Sequence, residues 1–312
     1  IGKASTFEAA RAYKNDLGDV VMIVLENSKM KVSIQEKGAE VVEVFHKEKD
    51  LQFMWSGDPA YWGRVSPVLF PIVGRLKNDQ YTVDQREYSL PQHGFLRDSA
   101  FSVIEQTNET ARLQFATNGR FKDVYPFECS VEISYRLENN RLTFQWKVVN
   151  EDKDDMYFSI GAHPAFRIPL RENEQISDYF LEIEPSETTP KEFVLKDALI
   201  HEKGAAENFH QLPLSADIFA NDALIFSHID GITIKSPVNE NQINVQFNDF
   251  PYVGIWSKYD AENHTIAPFL CIEPWFGIAD THDHNGNFKE KLGINRLSKD
   301  GVFQTEFSVS FS

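Results

Sequence analysis

Two titratable residues stand where apolar strands break at a proline. His163 lies in Gly161-Ala-His-Pro-Ala-Phe166, and Glu273 lies in Cys271-Ile-Glu-Pro-Trp-Phe-Gly277. A strand end is a rigid mount for a working side chain. An imidazole and a carboxyl group are the residue types that take and give protons near neutral pH. A third segment, Leu90-Pro-Gln-His-Gly-Phe-Leu-Arg-Asp98, sets His93 before Gly94, whose missing side chain permits close approach of a ligand to the backbone. A fourth runs from Ser66 to Lys77, holds two prolines and a glycine, and ends on Arg75 and Lys77. It cannot be a plain central strand.

Other chemistries fit the sequence less well. Thr281-His-Asp-His284 could ligate an ion, but an isolated His-x-His in a loop is a weak signal, and no second ligand cluster has zinc spacing. The reading is no metal and no cofactor. Cys271 shares a strand face with Glu273 by alternation and is read as core or pocket lining, since a nucleophilic role needs an activating histidine in space. Glycoside hydrolysis asks for two carboxylates flanking the bond, and the motif segments supply one.

The elements that hold these residues read as strands. Val131, Ile133, Tyr135 and Leu137 alternate with polar neighbours, as do Leu142, Phe144 and Trp146, and Phe303, Phe307, Val309 and Phe311 mark a last strand. Period-two alternation predicts half-buried antiparallel strands, and Asn139-Asn140 between two runs predicts a hairpin turn. Phe occurs 25 times, which favours sheet. Helical periodicity is confined to short stretches near 58–62, 214–219 and 286–292. The prediction is an all-β chain: a large antiparallel β-sandwich with few short helices. Residues 1–19 differ. Ser5 and Glu8 form a capping-box pattern before Ala9, Ala10, Arg11 and Ala12, predicting a short helix ended by Gly18. This part reads as an accessory leader or a remnant of expression or processing, and residues 20–312 as a single domain.

Charge narrows the partners. The 312 residues carry 31 basic and 47 acidic side chains, a net −16. That balance argues against nucleic acid and against anionic membrane surfaces, leaving a small-molecule partner. Two cysteines form no disulfide framework and suit a cytoplasmic location. A homodimer is compatible with the sequence.

The phrases SPVLFPIVGRLKN, LPQHGFLRD, GAHPAF and IEPWFGIAD occur in order, and together they resemble the aldose 1-epimerase (galactose mutarotase-like) family, in its LacX-type branch. The resemblance runs from about Val20 to the C-terminus. It implies a galactose mutarotase-like supersandwich and interconversion of the α and β anomers of a hexose without a cofactor. It implies Glu273 as the base that takes the C1 hydroxyl proton, His163 as the acid toward the ring oxygen, and His93 as an assisting active-site histidine. Arg75 matches the family's hydroxyl-binding arginine and Asp222, loosely, a sugar-binding aspartate. Pro274 and Trp275 would desolvate Glu273 and raise its pKa; Trp275 and Phe95 are candidates either for stacking on a sugar face or for core packing. GAHPAF and QHGF depart from the galactose-specific forms, so the sugar is open. HGFLRD is similar to a segment of the hexose-6-phosphate 1-epimerase branch, which makes Arg97 a candidate phosphate ligand. The alternatives are therefore the same chemistry on a phosphorylated hexose, or a sugar-binding or sensing protein without turnover.

Overall fold

The computed structural model describes residues 13–15, 18–20, 22–186, 189–206 and 210–312. The expected leader helix falls mostly on residues 1–12, outside the described residues. Its described part, Tyr13–Asn15, pairs with Gly18–Val20 in a two-stranded antiparallel ladder instead of continuing a helix to Gly18.

Two large antiparallel sheets dominate. The nine-stranded sheet runs in the order Ser102–Gln106, Thr110–Ala116, Cys129–Glu138, Arg141–Asn150, Val302–Phe311, Ile243–Gln246, Ile229–Lys235, Phe180–Pro185 and Gln211–Pro213. The sequence alternation reappears as burial. Val131, Ile133, Tyr135 and Leu137 are buried, whereas Arg136 and Glu138 on the same strand are exposed. Glu138 pairs with Arg141 across the Asn139-Asn140 turn, with Asn139 at φ 54°. The second sheet is built on Phe269–Phe276, flanked by Tyr252–Trp256 on one side and by Ile160–Ala162 and Ala165–Arg167 on the other. An aromatic contact joins the two sheets, with Phe303 edge-on to Phe276 at 5.0 Å, and Phe303 also meets Phe158 of the short Met156–Phe158 ladder at 5.4 Å. A four-stranded sheet, Met22–Glu26, Met30–Gln35, Val41–His46 and Leu51–Gln52, adds to the same core.

The helical stretches shrink. Residues 58–62 form a turn in which Asp58 Oδ1 accepts from the Ala60 N–H, and the other two keep only the 3₁₀ turns Ala216–Phe219 and Phe288–Glu290. Stretches this short cannot offset the cost of helix nucleation. Among the described residues, no helix is long and apolar enough to cross a membrane.

The Phe269–Phe276 strand positions the chemistry. Its side chains alternate between faces. Leu270 and Ile272 enter the main core. Phe269, Cys271, Glu273 and Trp275 point the other way, where Phe269 and Cys271 pack with Trp55, Ala165 and Ala267, and Trp275 packs with Leu69, Val73 and Ile225. One strand is thus buried on both faces, and a carboxylate sits in the middle of the second.

Candidate active site

A cavity of about 460 Å³ opens over that second face, a volume suited to a small ligand. Glu273, His163, His93, Arg97, Asp222 and Trp275 all line it. Glu273 pairs with Gly254 on one neighbouring strand, and Trp275 pairs with Gly161 on the other. A Cβ on Gly254 would lie 2.4 Å from the Trp275 Cη2, and one on Gly161 would lie 2.5 Å from its Cδ1. The two glycines form a slot in which the indole lies across the sheet beside Glu273.

His163 follows the Ile160–Ala162 strand, and its backbone N–H donates to the Pro67 carbonyl at 3.1 Å. Its ring stacks on Trp62 (centroids 4.7 Å, 28°) and meets Trp256 edge-on at 5.6 Å. Its Nε2 stands 3.3 Å from Glu273 Oε2, both side chains being buried. Burial pushes the imidazole down to about 3, with Arg97 and Arg64 adding repulsion and its backbone hydrogen bond opposing. Burial raises the Glu273 carboxyl well above the usual carboxylate range, and Asp222 adds to this. The Trp275 N–H opposes the rise only weakly, because Nε1 makes no hydrogen bond of normal geometry. The site therefore favours a neutral imidazole beside a protonated carboxyl.

His93 is held by its loop. It and Gly94 adopt φ 69° and 70°, and a Cβ on Gly94 would come 2.3 Å from the Phe70 carbonyl oxygen. The His93 N–H donates to Gly74 O at 2.9 Å, and the Gly74 N–H donates to His93 Nδ1 at 3.1 Å. A backbone amide only donates, so Nδ1 is unprotonated and the proton sits on Nε2. Burial, with His163 and the two arginines nearby, keeps His93 neutral by lowering its pKa. It is a fixed hydrogen-bond donor 5.6 Å, centroid to centroid, from His163.

Arg97 reaches the cavity and Arg75 does not. Arg97 Nη2 donates to the Gln92 carbonyl at 2.8 Å, and its buried Nε has no hydrogen-bond partner among the described residues. The Asp98 carboxylate is shared among Arg64 at 3.1 Å, Lys37 at 3.3 Å and Arg97 at 3.9 Å, leaving positive charge uncompensated. The structure does not bring Arg75 to the cavity. Its guanidinium lies in an exposed ion pair with Asp79 at 3.0 Å and is not among the cavity-lining side chains. Gly74, at φ 72° and pressed on Ala279, carries the chain past the cavity, so it is the glycine that lines it.

Asp222 sits at the exposed rim with φ 83°, and desolvation in the cleft raises its carboxyl although the residue stays exposed. Phe95 takes the core position: its ring stacks on Phe121 at 4.0 Å and packs against the core. Cys271 is fully buried behind the pair and outside the cavity lining. In the 281–284 loop, His282 stacks on His201 at 4.2 Å, and no metal-spaced cluster forms there among the described residues. Sequence reasoning missed Trp62, Trp256 and Lys258. The Tyr252–Trp256 strand register puts Trp256 opposite Cys271, on the face of Glu273; this could have been read only with the pairing in hand. Trp62 ends the 58–62 turn and Lys258 lies in a loop, where Lys258 Nζ donates to Tyr61 O at 2.8 Å.

Known proteins share this architecture. The chain is 38% identical to a galactose mutarotase related enzyme from Lactobacillus acidophilus, with a TM-score of 0.89 over 93% of this chain and 97% of that one. It is 30% identical to a galactose mutarotase-like protein from Lactobacillus casei, with a TM-score of 0.87 over 93% and 100%. It is also 29% identical to the plasmid-borne protein LacX of Lactococcus lactis, over 88% of this chain and 94% of that protein. The family model described as aldose 1-epimerase matches residues 21–291. The chain therefore belongs to the aldose 1-epimerase family, and it is an isomerase of that type.

Proposed function

We propose that Glu273 and His163 are the proton-transfer pair that opens and recloses a hexose ring. The observation that carries this reading is the 3.3 Å contact of the two buried groups on the cavity floor. Anomerisation removes one proton from the C1 hydroxyl and adds one to the ring oxygen, so the enzyme ends with the protons it began with. A pair holding one proton between them suffices. With that proton on His163, the Glu273 carboxylate takes the hydroxyl proton while the imidazolium, a strong acid in this setting, protonates the ring oxygen. The ring opens to the aldehyde, the C1–C2 bond turns, and the steps reverse. His93 Nε2–H, held by Gly74, donates to a sugar oxygen. Trp62, Trp256 and Trp275 give the cavity the flat apolar walls that suit a sugar face.

A phosphorylated hexose is the second reading, favoured by Arg97 and Lys258, which both line the cavity, while the Asp98 carboxylate that Arg97 faces is shared with Arg64 and Lys37. Residues 20–312 act in this reading as one unit. Two buried free cysteines suit a reducing cytoplasm. The test is anomer exchange by NMR for glucose, galactose and their 6-phosphates, with wild type and Glu273→Gln. Loss of a proton-transfer partner is expected to slow exchange by roughly 10²–10⁴-fold. Exchange unchanged in Glu273→Gln would remove the assignment. Acceleration confined to phosphates would select the second reading, and binding without acceleration would mark a sensor.

A further inference from the structure

We infer that His163, Cys271 and Glu273 also form a binding site for a thiophilic divalent cation of the zinc class, and that such an ion arrests the isomerase by occupying its proton-transfer pair. The inhibitory half rests on the roles proposed above; the binding half does not.

Three ligand atoms, one from each residue, lie within 4.8 Å of one another, and all three residues are buried. Nitrogen and oxygen ligands at about 2.05 Å from a tetrahedral zinc stand about 3.3–3.4 Å apart. His163 Nε2 and Glu273 Oε2 are 3.3 Å apart, and that contact is no hydrogen bond, since Oε2 has no partner among the described residues. A sulfur ligand at about 2.3 Å would stand about 3.5 Å from each, so the Cys271 thiol has at most about 1.3 Å to close. The strand supplies the reason: Cys271 and Glu273 are two residues apart on one face, and His163 hangs from the adjoining strand end.

The donor set is selective. One sulfur, one imidazole and one carboxylate suit zinc and its softer congeners, and exclude the oxygen-seeking magnesium and calcium. Charge also balances. As a divalent cation enters, the Cys271 thiol and the Glu273 carboxyl each release one proton to water, and His163 ligates as the neutral imidazole. The buried complex is then neutral overall, which avoids the cost of an uncompensated charge. Three protein ligands leave the fourth position open toward the cavity, where a water or a sugar hydroxyl completes the shell. An ion placed there blocks the carboxylate and the imidazole together. Cys271 has no part in the proposed proton transfers, so it separates metal sensitivity from turnover.

The test titrates Zn²⁺ alone into the metal-free full chain, by calorimetry in two buffers of different ionisation enthalpy, and records the spectrum of the Co²⁺ complex. The expected results are one ion per chain, release of at least one proton per ion, from the thiol, and a thiolate-to-cobalt charge-transfer band. Zn²⁺ should abolish anomer exchange. Cys271→Ser and Cys271→Ala should keep metal-free exchange while raising the half-inhibiting Zn²⁺ concentration by at least about tenfold. No binding, a cobalt complex without the thiolate band, or equal affinity in wild type and Cys271→Ala would overturn the site. If both cysteine variants failed to fold, the proton count and the cobalt band of wild type still decide. Zn²⁺ bound with the thiolate band by a chain that accelerates no sugar would leave the site standing and sink the proposed activity instead.

Discussion

Gly254→Ala places a methyl group 2.4 Å from Trp275 Cη2 and 2.5 Å from Cζ2. Ordinary contact begins at 3.4 Å, so the indole or the strand must yield by about 1 Å. The indole has little room, because Gly161 brings the opposite strand equally close to its Cδ1. Overpacking of this kind costs about 1–3 kcal/mol. The displacement falls beside Glu273, which pairs directly with Gly254. A misplacement of about 1 Å at reacting groups costs up to roughly 10²-fold in rate. Gly254→Ala is therefore expected to lower both the denaturant midpoint and the exchange rate measured by NMR. Gly204→Ala is the control, since a Cβ there meets nothing within 4 Å. Trp275→Phe removes Cη2 and Cζ2, so a double-mutant cycle should show Gly254→Ala to be milder in that background, with a coupling of roughly 0.5–3 kcal/mol. If Gly254→Ala behaved like Gly204→Ala, the slot would not be what fixes Trp275, and the argument from close approach would fail.

Gly94→Ala meets backbone rather than a side chain, at 2.3 Å from Phe70 O and with φ 70°, so it should unseat His93 and cut exchange more than it cuts stability. Arg75→Gln, an exposed pair partner, should leave exchange and KM unchanged, whereas Arg97→Gln should raise KM; equal effects would contradict the cavity lining. Exchange should persist through pH 5–6, where an ordinary histidine would protonate, with an acid limb near His163's value of about 3 and an alkaline limb as Glu273 gives up the pair's proton. An acid limb near 6.5 would refute the neutral imidazole.

The fold and the site were legible to different depths. Alternation along Cys129–Glu138 and Arg141–Asn150 gave the strands and their turn, because a solvent face leaves a period-two signature. The Phe269–Phe276 strand was read as a run near 269–274, but it is buried on both faces, so no solvent face told which side of it the site occupies. The segments of Glu273, His163 and His93 stood out because proline and glycine punctuate them, and the family resemblance supplied the roles proposed for the three residues. Arg75 and Arg97 were not separable, since both follow a glycine-containing turn and only the chain's course past Gly74 decides which guanidinium meets the cavity. Trp62 ends the 58–62 stretch, whose helical pattern gave no sign that its last side chain turns onto the His163 ring.

The buried pair makes opposite contributions to stability, and this gives the sharpest test of its protonation. His163 has a lowered folded pKa, so on acidification the unfolded chain takes up a proton that the native one refuses. Its contribution to stability falls as pH drops from 6.5 toward about 3, by up to about 1.4 kcal/mol per pH unit and about 5 kcal/mol in all. Glu273 has a raised folded pKa, so the native chain holds a proton that the unfolded one has lost, and its contribution falls as pH rises above the unfolded carboxyl value of about 4.3. Between about pH 4.5 and 6.5 the native pair holds one proton on the carboxyl and the unfolded pair holds one on the imidazole. The two slopes cancel in wild type. Glu273→Gln leaves the histidine slope alone and should grow less stable than wild type toward the acid end of this window. His163→Gln leaves the carboxyl slope alone and should lose stability toward its neutral end. Parallel stability–pH curves for wild type and both variants, measured by urea titration, would mean that the native pair rests as carboxylate and imidazolium, and the neutral resting state argued from burial would be refuted.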